Sequence, residues 1–118
     1  MRSDVFVYLS GPITAKHDRS VEENVAIALR AYWECLKAGI PAFCPHLSAG
    51  FPSAFTEVPY EAWLAYDFAV IQRCTDVVLL PNWQQSEGAV REVHFAEKLG
   101  LPVHASLDAF FAKAERSA

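Results

Sequence analysis

Glu92 is the residue of this chain whose neighbours most favour chemistry. It lies within the first two turns of a predicted helix, and the residues three and four positions away on its helix face include Gly88, Ala89 and Ala96. A carboxylate flanked by such small residues leaves room for a substrate against it. We therefore expect Glu92 to act on a bound molecule. The alternative is that an acidic residue near a helix start only complements the helix dipole.

The residues before Glu92 predict a ligand-binding crevice. Residues 77–80 are apolar and rich in β-branched side chains, and Pro81 ends the run, which is typical of a buried parallel strand. A polar loop follows, and then a helix with Ser86 as its N-cap and Gly100 at its end. Open α/β sheets bind ligands where a strand, the loop after it and a helix N-terminus meet.

Two further residues, Tyr8 and Asp67, could join Glu92 in this crevice. Tyr8 belongs to a strand predicted at residues 5–10, and the loop after this strand leaves the same sheet edge, so Tyr8 should approach Glu92. The sequence leaves open which side of the sheet the helix of Asp67 covers. If Asp67 reaches the crevice, one carboxylate can attack or stabilise while the other donates a proton. For Tyr8 the alternative is a half-buried core position.

Ser86, Lys16 and Arg19 are candidates for binding an anion. Besides capping the helix, the hydroxyl of Ser86 could surround a phosphate together with the amides of Glu87 and Gly88. Lys16 and Arg19 lie in a polar loop after the first strand and could reach the same ligand. A solvated loop is the ordinary alternative for these two charges.

The other potential ligands show no spacing typical of a metal site. Asp76 directly precedes the central strand, where a turn or capping role is favoured over catalysis, and His94 and His104 are expected to pack or to face water. The cysteines are predicted to be reduced thiols in or near the core. The full set is His17, His46, His94, His104, Cys35, Cys44 and Cys74.

Composition excludes several classes of function. The chain is 53% hydrophobic and 20% charged with a formal net charge of −4, so it has no electrostatic footprint for duplex nucleic acid. No apolar run approaches the length that spans a membrane. The apolar run near the N-terminus is too short for a signal peptide, and Asp4 interrupts the approach to it. We therefore expect a cytoplasmic protein that binds no membrane.

Alternating strands and helices predict a single doubly wound α/β domain over residues 1–118 with a parallel sheet of four to five strands. The predicted strands cover residues 5–10, 41–44, 77–80 and 101–105, and the predicted helices cover 21–38, 59–73, 87–99 and 107–114. A long loop at residues 46–58 is expected to be functional or mobile.

The first helix has the clearest local signals. Ser20 and Glu23 form a capping-box pattern at its start. Apolar residues then recur at three- and four-residue spacing, which predicts an amphipathic helix. These residues are Val25, Leu29, Trp33 and Leu36.

Three segments, which together span nearly the whole chain, resemble the nucleoside 2-deoxyribosyltransferase superfamily. They are Y-L-S-G-P-I-T at the first strand, Y-D-F-A-V-I-Q-R-C-T-D before the central strand and L-L-P-N-W-Q-Q-S-E-G-A-V-R-E after it. The resemblance implies a flavodoxin-like sheet and a glutamate nucleophile at Glu92. It also implies an acid at Asp67 that assists departure of the base, and a tyrosine at Tyr8 that orients the nucleophile. A retaining displacement needs such a carboxylate beneath the sugar and an acid near the leaving base.

The position six residues before the nucleophile separates substrates within that superfamily. Transferases of free nucleosides carry an acid there, whereas hydrolases of nucleoside 5′-monophosphates carry a phosphate-binding serine. This chain has Ser86, followed by Gly88 as in the hydrolases. One departure is that Pro12 and Thr14 stand where those hydrolases place a second phosphate-binding serine and an arginine. Lys16 or Arg19 could substitute.

The resemblance therefore implies an N-glycosidase or 2-deoxyribosyltransferase that acts on a nucleotide or nucleoside. Gly11, within the first segment, is then expected beside the substrate. Such an enzyme needs no metal or cofactor, and its family commonly forms homo-oligomers. The alternatives are a nucleotide-binding sensor without turnover and, less favoured, base transfer between nucleosides. The base, and the choice between ribose and deoxyribose, stay open.

Overall fold

A parallel sheet forms the centre of the protein. The structure, a computed structural model, describes residues 1–13, 19–48 and 58–117. Within these ranges the strands are β1 Val7–Ser10, β2 Ala42–Phe43, β3 Asp76–Leu79 and β4 Val103–His104. Their order is β2-β1-β3-β4, and all neighbouring pairs are parallel. The predicted α/β class with a parallel sheet is confirmed.

Helices follow the strands in the described part of the chain. The α-helices are α1 Val21–Lys37, α2 Tyr60–Ile71, α3 Glu87–Lys98 and α4 Leu107–Ser117, and short 3₁₀ turns cover Pro45–Ser48 and Trp83–Gln85. The predicted capping box is present at α1. Ser20 Oγ accepts from the Glu23 amide at 3.1 Å, and the Glu23 carboxylate accepts from the Ser20 amide at 3.3 Å. Two otherwise unpaired amides are thereby satisfied.

The helices cover both faces of the sheet. Successive strand residues point to opposite faces, so Val7 and Leu9 join the core beneath α1 and α4, which Ala28 and Phe110 also enter. Tyr8 joins the other core, beneath α2 and α3, which residues of both these helices complete. The doubly wound arrangement is confirmed. Any polar side chain on the Tyr8 face of β1 must therefore lie under α2 or α3.

The buried face of α1 is not the face that its large apolar residues indicate. Leu29, Trp33 and Leu36 are 38%, 48% and 44% exposed. The residues of α1 that are buried are mostly small, namely Asn24, Ala28, Ala31 and Cys35. Small side chains let the helix axis approach the sheet closely, and this packing decides which face is buried. The hydrophobic spacing correctly predicts a helix and misidentifies its inner face.

Three of the four described strands are shorter than the segments that predict them, whereas β3 keeps its predicted length and begins one residue earlier. β1 begins at Val7 and β4 has two residues, because ladder pairing needs a partner strand on at least one side. Asp76 is the first residue of β3 and pairs with Val7, so the predicted turn or capping position for Asp76 is wrong. Among the described helices, none combines the length and apolar character that crossing a membrane requires.

Candidate active site

Strand β1 presents two hydroxyl groups to α3. Tyr8 and Ser10 are two residues apart, so their side chains lie on the same sheet face. The Tyr8 hydroxyl donates to Oε2 of Glu92 at 2.7 Å, and Ser10 Oγ donates to Oε1 at 2.9 Å. Tyr8 and Ser10 are fully buried, and Glu92 is only 6% exposed. The expected approach of Tyr8 to Glu92 is confirmed, and each carboxylate oxygen has its own donor.

Helix α3 starts where the sequence predicts. Ser86 is its N-cap and accepts a hydrogen bond from the Ala89 amide at 3.1 Å. This cap and the α-helical repeat turn the face carrying Ala89, Glu92, Val93 and Ala96 toward the sheet. Glu92 is thereby carried inward on a rigid element.

The small residues around Glu92 do not all leave open space. Ala89 and Ala96 are core residues, and a Cβ on Gly88 would lie 3.1 Å from the Tyr60 hydroxyl. The prediction that Ala89 and Ala96 make room for a substrate is wrong, because their small size instead brings α3 close to the sheet. Asp67 is only partly buried, so the carboxyl pair approaches the surface on the Asp67 side.

Asp67 extends from α2 to the same buried carboxyl, which settles the side of the sheet that the sequence left open. Burial raises the pKa of Glu92 to about 8, and the charge of Asp67 and a hydrogen bond with it act in the same direction. The hydrogen bonds from Tyr8 and Ser10 lower that pKa and only partly compensate. Burial also raises the pKa of Asp67, while hydrogen bonds to Glu92 and Tyr8 oppose the shift.

These shifts favour the protonated form of Glu92 near neutral pH. Two buried carboxylates cannot both ionise cheaply, because each loses water and repels the other. The Tyr8 hydroxyl stays protonated, since burial and the charge of Glu92 raise its pKa well above the usual value. The site therefore combines a carboxyl that favours its proton, a second carboxyl beside it and two hydroxyl donors. Such groups can take part in general acid–base and nucleophilic chemistry.

Tyr60, Arg91 and Glu61 form a second polar cluster near the start of α3. Tyr60 hydrogen-bonds to Arg91, whose guanidinium pairs with Glu61 at 3.0 Å. The Ser86 hydroxyl accepts from α3 and can still donate its own hydrogen. Ser86 precedes Glu92 by six residues, which is about 9 Å along a helix axis. An anion at the helix start and a reacting group at Glu92 would therefore be held apart by a fixed distance.

Two other predicted binding residues, Arg19 and Gly11, have close neighbours at the exits of β1 and β3. With its amide oxygen facing Arg19, Asn82 lies 2.8 Å from Nη2 of that guanidinium, so Arg19 bridges the exits of β1 and β3. A Cβ on Gly11 would lie 2.7 Å from Cβ of Leu80, so close packing against Leu80 explains why a glycine stands at this position. Its predicted contact with a substrate stays a prediction. Lys16 lies outside the described residues.

Sequence reasoning missed two buried polar residues near the site. Ser10 has a detectable signal, because it shares a strand face with Tyr8. His46 has none, because its partner is distant in sequence: its Nε2 donates to the Pro12 carbonyl at 2.9 Å. Burial lowers the pKa of His46, which favours the neutral ring. This bond ties the segment after β2 to the exit of β1.

The described residues contain no group of three or more potential metal ligands. His104 is buried and donates from Nε2 to Asp76 at 2.8 Å, while its ring packs edge-on against Phe110. These two side chains lie on the α1 and α4 side of the sheet, away from Glu92. The three cysteines are free and buried, as predicted.

The profile of a family described as a domain of unknown function (DUF4406) matches residues 5–105. The chain belongs to the DUF4406 family. The matched segment includes all the described strands and α1 to α3, and therefore every residue of the candidate site in this DUF4406 domain. No curated protein matches the chain.

We predict that ionisation of Glu92 destabilises the fold. The folded protein keeps a proton that the unfolded chain releases near pH 4.5, so this stabilisation is complete below pH 4.5 and is lost as the pH rises to about 8. The free energy of unfolding should fall by on the order of a few kcal/mol between about pH 5 and about pH 8.5. Glu92→Gln should flatten this dependence in urea titrations.

Glu97→Gln is the matched control, because Glu97 is exposed on the same helix. It should leave the pH dependence of the wild-type protein unchanged. An equal slope in the wild-type protein and Glu92→Gln would contradict the raised pKa of Glu92.

We predict that the hydrogen bond from Ser10 lowers the pKa of Glu92. This hydrogen bond favours the carboxylate, so Ser10→Ala should raise the pKa of Glu92 further, whereas Ser10→Thr keeps a hydroxyl and should restore much of the effect. Carbon-13 NMR titration of the glutamate carboxyl resonances measures this shift directly. If the titration is unchanged in Ser10→Ala, the 2.9 Å hydrogen bond does not affect the pKa of Glu92, which would contradict the prediction.

Proposed function

We propose that this protein cleaves the N-glycosidic bond of a nucleoside 5′-monophosphate or nucleoside. In this proposal Glu92 is the nucleophile, Asp67 supplies the proton for the leaving base, and Tyr8 orients Glu92. The observation that supports it best is the buried pair of carboxyls with a separate hydroxyl donor on each oxygen of Glu92. The resemblance of the three sequence segments to the nucleoside 2-deoxyribosyltransferase superfamily points to the same chemistry.

The proposed reaction needs the proton on Asp67 and the charge on Glu92. In the unliganded protein the higher pKa of Glu92 keeps the proton there. Tyr8 and Ser10 both stabilise the ionised form of Glu92, and positive charge that develops on the sugar favours it further. The proton therefore moves to Asp67 as the substrate is bound and the bond begins to break.

In the first step an oxygen of Glu92 attacks the anomeric carbon from the face opposite the base. A carbon–oxygen bond forms as the carbon–nitrogen bond breaks, and the electron pair of that bond stays on the base. Asp67 gives its proton to the base, which leaves neutral. The products are a glycosyl ester of Glu92, the free base and an ionised Asp67.

In the second step water attacks the same carbon, and Asp67 accepts a proton from it. The ester bond breaks, the electron pair returns to Glu92, and the sugar leaves with retained configuration. If a second base reaches the ester before water does, the same chemistry transfers the sugar. Hydrolysis and transfer therefore share one site and differ in the acceptor.

The start of α3 favours a substrate with a 5′-phosphate. A helix N-terminus attracts an anion, and the Ser86 hydroxyl adds a donor without adding negative charge. Arg91 and Tyr60 lie on the same side and supply further polar groups, although Glu61 already neutralises part of the charge of Arg91. The expected partner is thus a small nucleotide, with the sugar lying between Ser86 and Glu92.

We predict that the protein releases free base from at least one member of a panel of ribo- and deoxyribonucleoside 5′-monophosphates. Liquid chromatography of the base measures this release. Glu92→Gln should lower the rate by at least about a hundredfold because it removes the nucleophile, and Glu97→Gln should not change it. The rate should also decline above about pH 8, since the carboxyl pair then has no proton to donate.

Three outcomes separate the alternatives. Release that survives in Glu92→Gln would exclude the proposed nucleophile. Thermal stabilisation by a nucleotide without release on long incubation would favour the sensor. Exchange seen only when an acceptor base is added would identify a transferase.

We predict that Ser86→Asp discriminates between phosphorylated and free nucleosides. Aspartate is also a good N-cap, so the helix should stay intact, but its carboxylate repels a phosphate. The KM for a monophosphate should rise by roughly tenfold or more, with little change for the nucleoside. Ser106→Asp at the start of α4 is the control, because Ser106 also accepts a helix amide at 3.0 Å and lies outside the site. Equal effects on both substrates would exclude a phosphate contact at Ser86.

A further inference from the structure

The outer face of α1 carries a stripe of exposed residues. Its members are separated by four, three, four and three residues, and all are exposed. They are Glu22, Ala26, Leu29, Trp33 and Leu36. The stripe lies opposite the buried residues of α1, and its spacing is the one that keeps a seam facing a second helix.

Two cations lie over the ring of Trp33 in this stripe. The Lys37 ammonium lies 4.1 Å from the Trp33 ring centroid, and the Arg30 guanidinium lies 5.4 Å from it. Leu29 and Leu36 are 38% and 44% exposed. Clustered exposed apolar side chains rimmed by charge are typical of a protein–protein contact.

The stripe is complementary to itself when reversed. If two copies of α1 run antiparallel about a two-fold axis between Leu29 and Arg30, Glu22 of each copy faces Lys37 of the other. The same axis sets the small Ala26 opposite the large Trp33. A two-fold contact must match one surface to itself in this way, and charge and size match at these two pairs. Antiparallel helices also oppose their dipoles favourably.

We propose that a second copy of this chain packs antiparallel on the outer face of α1, here named the α1 stripe (Glu22, Ala26, Leu29, Trp33 and Leu36). The α1 stripe lies on the opposite side of the sheet from Glu92. This dimer therefore adds no residue to the carboxyl site and does not depend on the proposed glycosidase activity. A helix of 17 residues is about 25 Å long, which makes the contact small and the dimer concentration-dependent.

Sedimentation velocity on the full chain from about 5 to about 300 µM tests the dimer. The wild-type protein should shift from monomer toward dimer across this range. Trp33→Glu should stay monomeric because it sets a charge in the centre of the α1 stripe. Leu99→Glu is the matched control, since Leu99 is 45% exposed on another helix end, and it should dimerise like the wild-type protein.

Charge reversal tests the antiparallel register. Lys37→Glu or Glu22→Lys alone should weaken dimerisation about tenfold, because each creates two like-charge pairs per dimer. The double variant, or an equimolar mixture of the two single variants, should restore it.

Several outcomes would overturn the proposal. They are a wild-type monomer at every concentration, a dimer that Trp33→Glu leaves intact, and charge-reversed variants that do not rescue each other. Circular dichroism on each variant confirms that the fold is retained. None of these measurements involves base release, so failure of the dimer and failure of the enzymatic proposal are distinguishable.

Discussion

Burial of the Glu92 carboxyl is the constraint on which the site depends. An ionised carboxylate without partners inside a protein is very costly, so the group must be protonated, paired or hydrogen-bonded. Here two of these responses operate together: Tyr8 and Ser10 donate to its two oxygens, and its raised pKa favours the protonated form. A buried carboxylate is high in free energy, and positive charge that approaches it is stabilised. Such a carboxylate is therefore suited to attack an electron-poor carbon.

The parallel sheet supplies the precision that this arrangement needs. Tyr8 and Ser10 are held by β1, which pairs with β2 on one side and β3 on the other, so neither hydroxyl can shift independently. Gly11 lets the exit of β1 lie against Leu80, and His46 fastens the adjacent Pro12 carbonyl from the segment after β2. Contacts that take no part in chemistry thus keep the two donors at hydrogen-bonding distance from α3.

The two faces of the sheet serve different purposes. The α2 and α3 side holds the carboxyl pair to which the proposed glycosidase activity is assigned. The α1 and α4 side holds an apolar core beneath a helix whose outer stripe is exposed. Because the sheet separates them, the proposed association through α1 and the proposed chemistry at Glu92 can change independently. The DUF4406 family match spans both sides.

The sequence by itself determined the order of strands and helices, the parallel α/β class, the caps at Ser20 and Ser86, and the meeting of Tyr8 with Glu92. Each follows from local spacing or from the rule that parallel strands end at one sheet edge. Only the tertiary structure decided that Asp67 reaches Glu92, that Ser10 is the second donor, and that Ala89 and Ala96 fill the core. It also decided that α1 buries its small residues and exposes Trp33. Those outcomes depend on how closely each helix can approach the sheet, which is a property of packing between distant segments.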